Sequence, residues 1–171
     1  MLFTTPVEKT KVNIRTMSQN EDEELYFAYG SNLDAERMKK RKAYFTKREA
    51  AKLTGFRFEF SKRMKLPGVG VGNIVPSPQS MVHGILYTLE KGGLNKLDVF
   101  ENTSEGQYKR EIVKVQTADG VFEEATTYIA TENYYQSGLK PEKWYLAHLL
   151  AGEEFLPLHY YKFLKDFETY D

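Results

Sequence analysis

The run Tyr26-Phe27-Ala28-Tyr29-Gly30-Ser31-Asn32 passes from an apolar, aromatic segment to a glycine and then to small polar residues. Residues 25–29, which include the start of this run, are β-prone and uncharged and form a short segment, which predicts a strand buried on both faces. The glycine allows a turn and a close backbone approach to a ligand, and the polar residues at 31, 32 and 34 can cap a helix that begins near Ala35. Such a junction directs free backbone N–H groups towards one point, which suits a carboxylate or a developing oxyanion. A tight turn with a capping residue explains the same residues, so both interpretations stay open.

The remaining pattern predicts an α+β fold with a mixed, curved or barrel-like β-sheet and flanking helices. Residues 1–23 are polar and predict a flexible extension, although Val7 to Ile14 could add an edge strand, and residues 24–171 are expected to form one domain. The predicted strands are 25–29, 53–60, 72–75, 82–89, 108–117 and 121–130. A loop is predicted at 67–73, and Pro76-Ser77-Pro78 is expected to end the strand 72–75. The last two strands are expected to form a hairpin around Asp119-Gly120. The predicted helices are 34–41, 94–100, 141–151 (with Pro141 at its first position) and 157–167. This order favours a curved or closed mixed sheet over a doubly wound parallel one.

Composition excludes several classes of protein. The 171 residues carry a formal net charge of zero and contain no cysteine. A neutral chain has no global field that attracts nucleic acid or an anionic membrane. The absence of cysteine excludes disulfides, thiolate ligands and a cysteine nucleophile, and it is consistent with a reducing cytoplasm. No apolar run is long enough to span a membrane, and residues 1–20 lack the apolar core of a secretory signal. We therefore expect a cytoplasmic protein that binds neither nucleic acid nor membrane.

The segment Leu97-Asp98-Val99-Phe100-Glu101 places a carboxylate at the end of a predicted helix. The apolar residues Leu94, Leu97 and Phe100 share one helical face, which leaves Glu101 at the helix C-terminus. There the helix dipole disfavours the charged carboxylate, and partial burial would raise its pKa towards the range of a general base. A solvated glutamate at a helix end is a common alternative, so the position alone does not establish catalysis.

Other chemistries have weaker support. His83, His148 and His159 are scattered without metal-ligand spacing, so no metal site is expected. No nucleophile elbow is present, and Ser31 is the only serine placed to act as a nucleophile. The basic segment 37–65 contains phenylalanines and leaves a nucleic-acid surface as an alternative. Its phenylalanines at 56, 58 and 60 follow a strand period, however, and fit a core better. Aromatic residues at 128, 134, 135, 144 and 145 could line a pocket or simply pack.

Taken together, these segments resemble the γ-glutamylcyclotransferase family and its AIG2-like and γ-glutamylamine cyclotransferase relatives. Residues 26–33 (YFAYGSNL) resemble the family signature, and residues 97–101 resemble the segment that carries its catalytic glutamate. Tyr108 falls where the family has a tyrosine seven residues later. Further likeness lies in residues 84–87 (GILY), in Thr127-Tyr128, and in the terminal Gly152, Leu156-Pro157 and Tyr160, so that it spans about residues 25–164.

One departure concerns the residue after the glutamate, which is Asn102 where the family usually has glycine. Asparagine tolerates the left-handed conformation that glycine adopts readily. The pair Glu105-Gly106 could also be fitted to the motif, but only with a gap before Tyr108. The ungapped spacing favours Glu101.

The resemblance implies a family fold and an enzyme that converts a γ-glutamyl amino acid, glutathione or a γ-glutamylamine to 5-oxoproline. It assigns proton transfer to Glu101 and needs no metal or cofactor. It implies substrate contacts from Tyr26, Phe27, Ala28, Tyr29, Gly30, Ser31, Asn32, Tyr108 and Tyr128. A homodimer is possible, and the alternative function is a catalytically silent module of the same fold that binds a small molecule or a partner.

Overall fold

A computed structural model of the chain describes residues 14–15 and 21–171. The strands of this part are β1 (Ile14–Arg15), β2 (Glu23–Ala28), β3 (Phe45–Arg63), β4 (Gly70–Glu90), β5 (Tyr108–Thr117) and β6 (Phe122–Ala130). Its α-helices are α1 (Ala35–Lys40), α2 (Gly93–Phe100), α3 (Lys143–Leu150) and α4 (Leu158–Lys165). The predicted α+β class is confirmed, and the four predicted helices are present with ends moved by no more than two residues.

Five of the strands close into a barrel. Their order is β6-β2-β4-β3-β5, and β5 pairs back with β6. The β2–β6 pairing is parallel, with Tyr26 opposite Thr126, whereas the other pairings of the barrel are antiparallel. The predicted hairpin joins β5 to β6, and Gly120 adopts a φ of +80° in its turn, a conformation that glycine adopts readily. The barrel-like sheet predicted from the sequence is therefore confirmed.

Two strands are much longer than predicted, which corrects the bounds of three predicted strands and of one predicted loop. The predicted strand 53–60 is the middle of the 19-residue β3, and the predicted strands 72–75 and 82–89 both lie within the 21-residue β4. The predicted loop 67–73 therefore ends before Gly70, and Pro76-Ser77-Pro78 does not end a strand. The β3–β4 register shifts between Thr54 and Phe56, which pairs with Pro76. The prolines thus lie at or beside an irregularity, which is where a sheet tolerates proline.

Near the N-terminus the structure tests only part of the prediction. Ile14 and Arg15 form β1, which pairs parallel with Phe122 and Glu123 of β6. Residues 1–13 and 16–20 lie outside the described residues, so the proposed extension and most of the Val7–Ile14 strand stay predictions.

The connection from β2 to α1 sets the position of the candidate site. A 3-10 turn, Ser31–Leu33, follows Gly30, and Leu33 is fully buried against α3 and Gly152. Asp34 caps α1, because its side chain accepts a hydrogen bond from the backbone N–H of Glu36 at 3.0 Å. Of the three polar residues that the sequence offered as caps, Asp34 is the one used. The loop between β2 and α1 is thereby fixed at both ends.

Candidate active site

A cleft of about 750 Å³, its open mouth included, lies where the β2–α1 loop meets the C-terminal end of α2. Its walls come from β2, α1, β3, β4, α2, β5, β6 and α3. The lining residues that the sequence predicted for the site are Tyr26, Tyr29, Gly30, Ser31, Asn32, Glu101, Tyr108 and Tyr128. Residues far apart in the chain therefore meet around one space of a size that suits a small molecule.

The loop at the base of this cleft presents unpaired backbone donors. Among the described residues, no hydrogen-bond acceptor is paired with the backbone N–H of Gly30, Ser31 or Asn32. The first N–H groups of a helical turn have no partner within the turn. Groups of this kind can bind a carboxylate or an oxyanion.

Glu101 follows the last residue of α2 and faces the cleft with its side chain only 15% exposed. Burial raises the pKa of Glu101, and the nearby cations Arg41, Lys62 and Arg37 limit that rise. Asn102 then takes the left-handed conformation, with a φ of +51°, which is the conformation expected from the glycine it replaces. The carboxylate is thus buried, close to cations and open to the cleft, which are properties of a candidate general base.

A chain of hydrogen bonds connects Glu101 to the loop. Arg41 Nη1 lies 3.5 Å from Glu101 Oε1 and donates to Asn32 Oδ1 at 3.2 Å. Asn32 Nδ2 donates in turn to the Tyr26 hydroxyl at 2.9 Å, and the Tyr87 hydroxyl donates to the backbone oxygen of Asn32 at 2.7 Å. Asn32 therefore holds Arg41 in place, and Arg41 fixes the side of the carboxylate that faces α1.

Tyrosine hydroxyls hold the surrounding strands together. The Tyr108 hydroxyl donates to the carbonyl oxygen of Gly72 at 2.6 Å, and the Gly72 N–H donates to the Tyr145 hydroxyl at 2.9 Å. The Tyr29 hydroxyl donates to the backbone oxygen of Tyr128. Burial raises the pKa of Tyr145 to about 12, so these hydroxyls stay protonated at neutral pH and act as fixed dipoles.

Tyr128 connects the site to an ion pair on its outer side. Its hydroxyl lies 2.7 Å from Asp98 Oδ1, and Arg110 forms two hydrogen bonds with the same carboxylate, at 2.8 and 2.6 Å. Asp98 is part of α2, three residues before Glu101. The contact therefore fixes the helix that carries the candidate base.

Three predictions need correction or weakening. Phe27 and Ala28 are fully buried and do not line the cleft, because they pack against Gly84 of β4. Their predicted contact with substrate is therefore wrong for this geometry, although they position the loop that follows.

Ser31 Oγ accepts a hydrogen bond from Arg37 Nε at 3.1 Å. A guanidinium cannot remove a proton at neutral pH, so this contact does not support Ser31 as a nucleophile.

Sequence reasoning missed the cations of the cleft. Arg37, Arg41 and Lys62 all line it, although they lie in the basic segment that was considered as a nucleic-acid surface. The i, i+2 series of the phenylalanines at 56, 58 and 60 reaches Lys62 and favours a buried position, although a register shift between Glu59 and Lys62 interrupts this alternation in the structure. No comparable local signal marks the two arginines.

The histidines give no metal site in the part of the chain that the structure covers. No group of three or more His, Asp or Glu side chains there is arranged to hold a metal ion. His83 packs on the rings of His159 and Tyr160, and His148 Nδ1 lies 2.8 Å from Asp34 Oδ2. None of the described helices is long and apolar enough to cross a membrane.

The pKa of Glu101 leads to a prediction about stability. We expect the stability of Glu101→Gln relative to wild type to increase as the pH rises from about 4 to 7. A raised folded-state pKa means that the folded wild type loses stability as the pH rises from the ordinary glutamate value of 4.5 through the raised value. Glutamine does not titrate and escapes this loss.

Urea unfolding of wild type, Glu101→Gln and the exposed-site control Glu105→Gln at both pH values measures the effect. The Glu105→Gln variant measures what replacing an exposed carboxylate by an amide does near the same helix end. A Glu101→Gln difference that does not change with pH, or that reverses sign, contradicts the prediction and would mean that Arg41, Lys62 and Arg37 offset the burial fully.

Comparisons with known proteins agree with the geometry. The family model described as gamma-glutamyl cyclotransferase, AIG2-like, matches residues 26–147. The gamma-glutamylcyclotransferase of Homo sapiens is 34% identical over 159 residues, covering 89% of this chain and 82% of that protein. The protein of the same name from Bos taurus is 32% identical over 158 residues, covering 90% and 84%. A solved structure of a gamma-glutamyl cyclotransferase superposes with a TM-score of 0.76 at 32% identity, covering 88% of this chain and 90% of that one.

Proposed function

Because the chain belongs to the gamma-glutamyl cyclotransferase, AIG2-like, family, we propose that it cyclises γ-glutamyl compounds to 5-oxoproline with Glu101 as the general acid–base. The substrate is a γ-glutamyl amino acid or a related γ-glutamyl amide, and the second product is the free amino acid or amine. The observation that carries the proposal is the buried Glu101 carboxylate in the same cleft as the unpaired N–H groups of residues 30–32.

The reaction needs a proton acceptor and an oxyanion site. The α-ammonium of the γ-glutamyl group loses a proton to Glu101, and the freed amine attacks the γ-carbonyl carbon. A carbon–nitrogen bond forms within a five-membered lactam, and the original amide carbon–nitrogen bond breaks. The proton held by Glu101 goes to the departing nitrogen. The attacking nitrogen loses a second proton as the lactam forms, and this proton passes through Glu101 to the free amine, which leaves as an ammonium. A carboxylate with a raised pKa suits both steps, because it accepts and returns a proton near neutral pH.

The cleft also supports binding of the substrate in its cyclising conformation. The backbone N–H groups of residues 30–32 can bind the oxyanion or the substrate carboxylate. Arg37 and Arg41 provide positive charge beside this loop, through their contacts with Ser31 and Asn32. Holding the γ-glutamyl chain bent removes much of the entropy cost of ring closure.

The alternative is a silent binding module with the same pocket. The presence of both the loop and the buried Glu101 favours the enzyme, since a module without turnover has no need for a carboxylate that is costly to bury.

We further propose a cytoplasmic location, which the absence of cysteine supports. The possible homodimer and the expected lack of nucleic-acid binding stay predictions, which light scattering and a binding titration with duplex DNA can test.

The decisive experiment measures 5-oxoproline released by the purified protein from γ-glutamyl-alanine, glutathione and the γ-glutamyl-lysine isopeptide. We expect product from at least one of them, and the rates rank the leaving groups. Folded protein that releases no product from any of the three would favour the binding module.

A further inference from the structure

Lys62 is a buried lysine that forms no direct ion pair in the described part of the chain. The residue is only 5% exposed, and it takes part in none of the ion pairs there. Its Nζ donates to Gln107 Oε1 and contacts Met64 Sδ at 3.8 Å, and both of these acceptors are neutral. Burial lowers the pKa of Lys62, and the negative charges of Glu101 and Glu105 oppose part of that shift. Because burying an ammonium without a direct ion pair costs free energy, its place at the cleft calls for a functional explanation.

The surrounding residues hold this ammonium in one position. The ring centroids of Tyr108 and Tyr134 lie 5.4 and 5.3 Å from Lys62 Nζ, which is within cation–π range. Gln107 Nε2 donates to Glu105 Oε2 at 3.2 Å, and this contact orients the Gln107 carbonyl towards the lysine. A register shift in β3 directly precedes Lys62, and irregularities of this kind redirect side chains. The ammonium is therefore preorganised to receive an anion.

The cleft carries more positive charge than its one carboxylate neutralises. The charged residues that line it are the cations Arg37, Arg41 and Lys62 and the single anion Glu101, an excess of two positive charges. The two arginines contact the β2–α1 loop, at Ser31 and Asn32. Lys62 instead contacts β5 and the segment after β6. The cleft thus has two cationic parts, built on different elements.

A substrate with two carboxylates matches this arrangement. A γ-glutamyl amino acid carries one α-carboxylate on its glutamyl half and a second on the leaving amino acid. A neutral γ-glutamyl amide carries only the first. We propose that Lys62 binds the α-carboxylate of the leaving amino acid and makes the enzyme prefer γ-glutamyl amino acids to neutral γ-glutamyl amides. This inference rests on the proposed function, because it assigns a role in the same cleft.

The test compares γ-glutamyl-alanine with γ-glutamyl-alaninamide, which differ only in that carboxylate. For wild type we expect kcat/KM to be about 10- to 100-fold higher for the acid, as a charge-assisted hydrogen bond provides. In Lys62→Met the ratio should fall to about one, whereas Lys62→Arg should keep most of it. Lys65→Met, at an exposed position, should leave the ratio unchanged. The ratio cancels any effect of Lys62 on Glu101, because both substrates use the same base.

The outcomes separate this inference from the proposed function. A wild-type ratio near one, or an equal loss on both substrates in Lys62→Met, overturns the role of Lys62 and leaves the enzyme proposal intact. If wild type turns over neither of these two compounds and releases no product from glutathione or the γ-glutamyl-lysine isopeptide, the proposed reaction fails. Calorimetric binding of the same two compounds to wild type and Lys62→Met then gives the ratio without turnover. A preference for the acid that disappears in Lys62→Met still supports the anchor, and its absence overturns it.

Discussion

Replacement of Glu101 by glutamine is expected to lower kcat for 5-oxoproline release by about 10²- to 10⁴-fold, the usual contribution of a general acid–base. Glutamine keeps the size of the side chain and an oxygen that can face Arg41. It cannot accept the proton of the α-ammonium or return one to the leaving nitrogen. KM should change little, because the loss concerns an interaction made in the transition state. Steady-state kinetics on the best substrate of the panel measure both constants.

Glu105→Gln is the matched control for this variant. Glu105 is exposed, and the one described hydrogen bond of its side chain is accepted from Gln107 at 3.2 Å, a bond that the oxygen of a glutamine can also accept. An exposed substitution of this kind should change activity by no more than about twofold. If Glu105→Gln is inactive and Glu101→Gln is active, the catalytic carboxylate has been assigned to the wrong residue. If both retain full activity, the general-base mechanism is wrong.

The fold was largely predictable because its strongest signals are local. The aromatic alternation of residues 53–60 and the Asp119-Gly120 turn each specify an element within a few residues. The full lengths of β3 and β4 were not predictable, because Pro76-Ser77-Pro78 and the nearby glycines are typical of a strand end. Only the structure shows that β4 continues through these residues, with β3 paired to it on both sides of the irregularity.

The candidate site, too, was predictable from the sequence only in part. The loop at 29–32 and Glu101 are each marked by their own neighbours in sequence, and the structure brings them to one cleft. Arg41 and Lys62 reach that cleft only because α1 and β3 meet it from different sides of the fold. A single sequence shows alternation within one strand, but it does not show which distant elements meet at a cleft. The charge balance that motivates the role of Lys62 therefore became visible only in the structure.

Gly84→Ala is expected to lower the free energy of unfolding by at least about 3 kcal/mol, at the upper end of the usual cost of overpacking. A Cβ at Gly84 would lie 2.1 Å from the carbonyl oxygen of Ala28 and 2.9 Å from Phe27 Cε2. No side-chain rotation can relieve the first contact, since the oxygen belongs to the backbone of the paired strand β2. The two strands must separate next to Gly30, so kcat/KM of the folded fraction should fall as well. Urea unfolding and kinetics on the same preparation measure both effects.

Gly120→Ala supplies the comparison that separates close packing from loss of a glycine as such. Gly120 has a φ of +80°, and the nearest atom to an added Cβ is Gln116 Nε2 at 3.9 Å. Its replacement should cost only about 1–2 kcal/mol, the penalty of a left-handed conformation, and should leave kcat/KM unchanged. If Gly84→Ala proves no less stable than Gly120→Ala, then β2 and β4 can part at little cost. The tight contact at Gly84 would in that case not be what holds the loop beside Glu101.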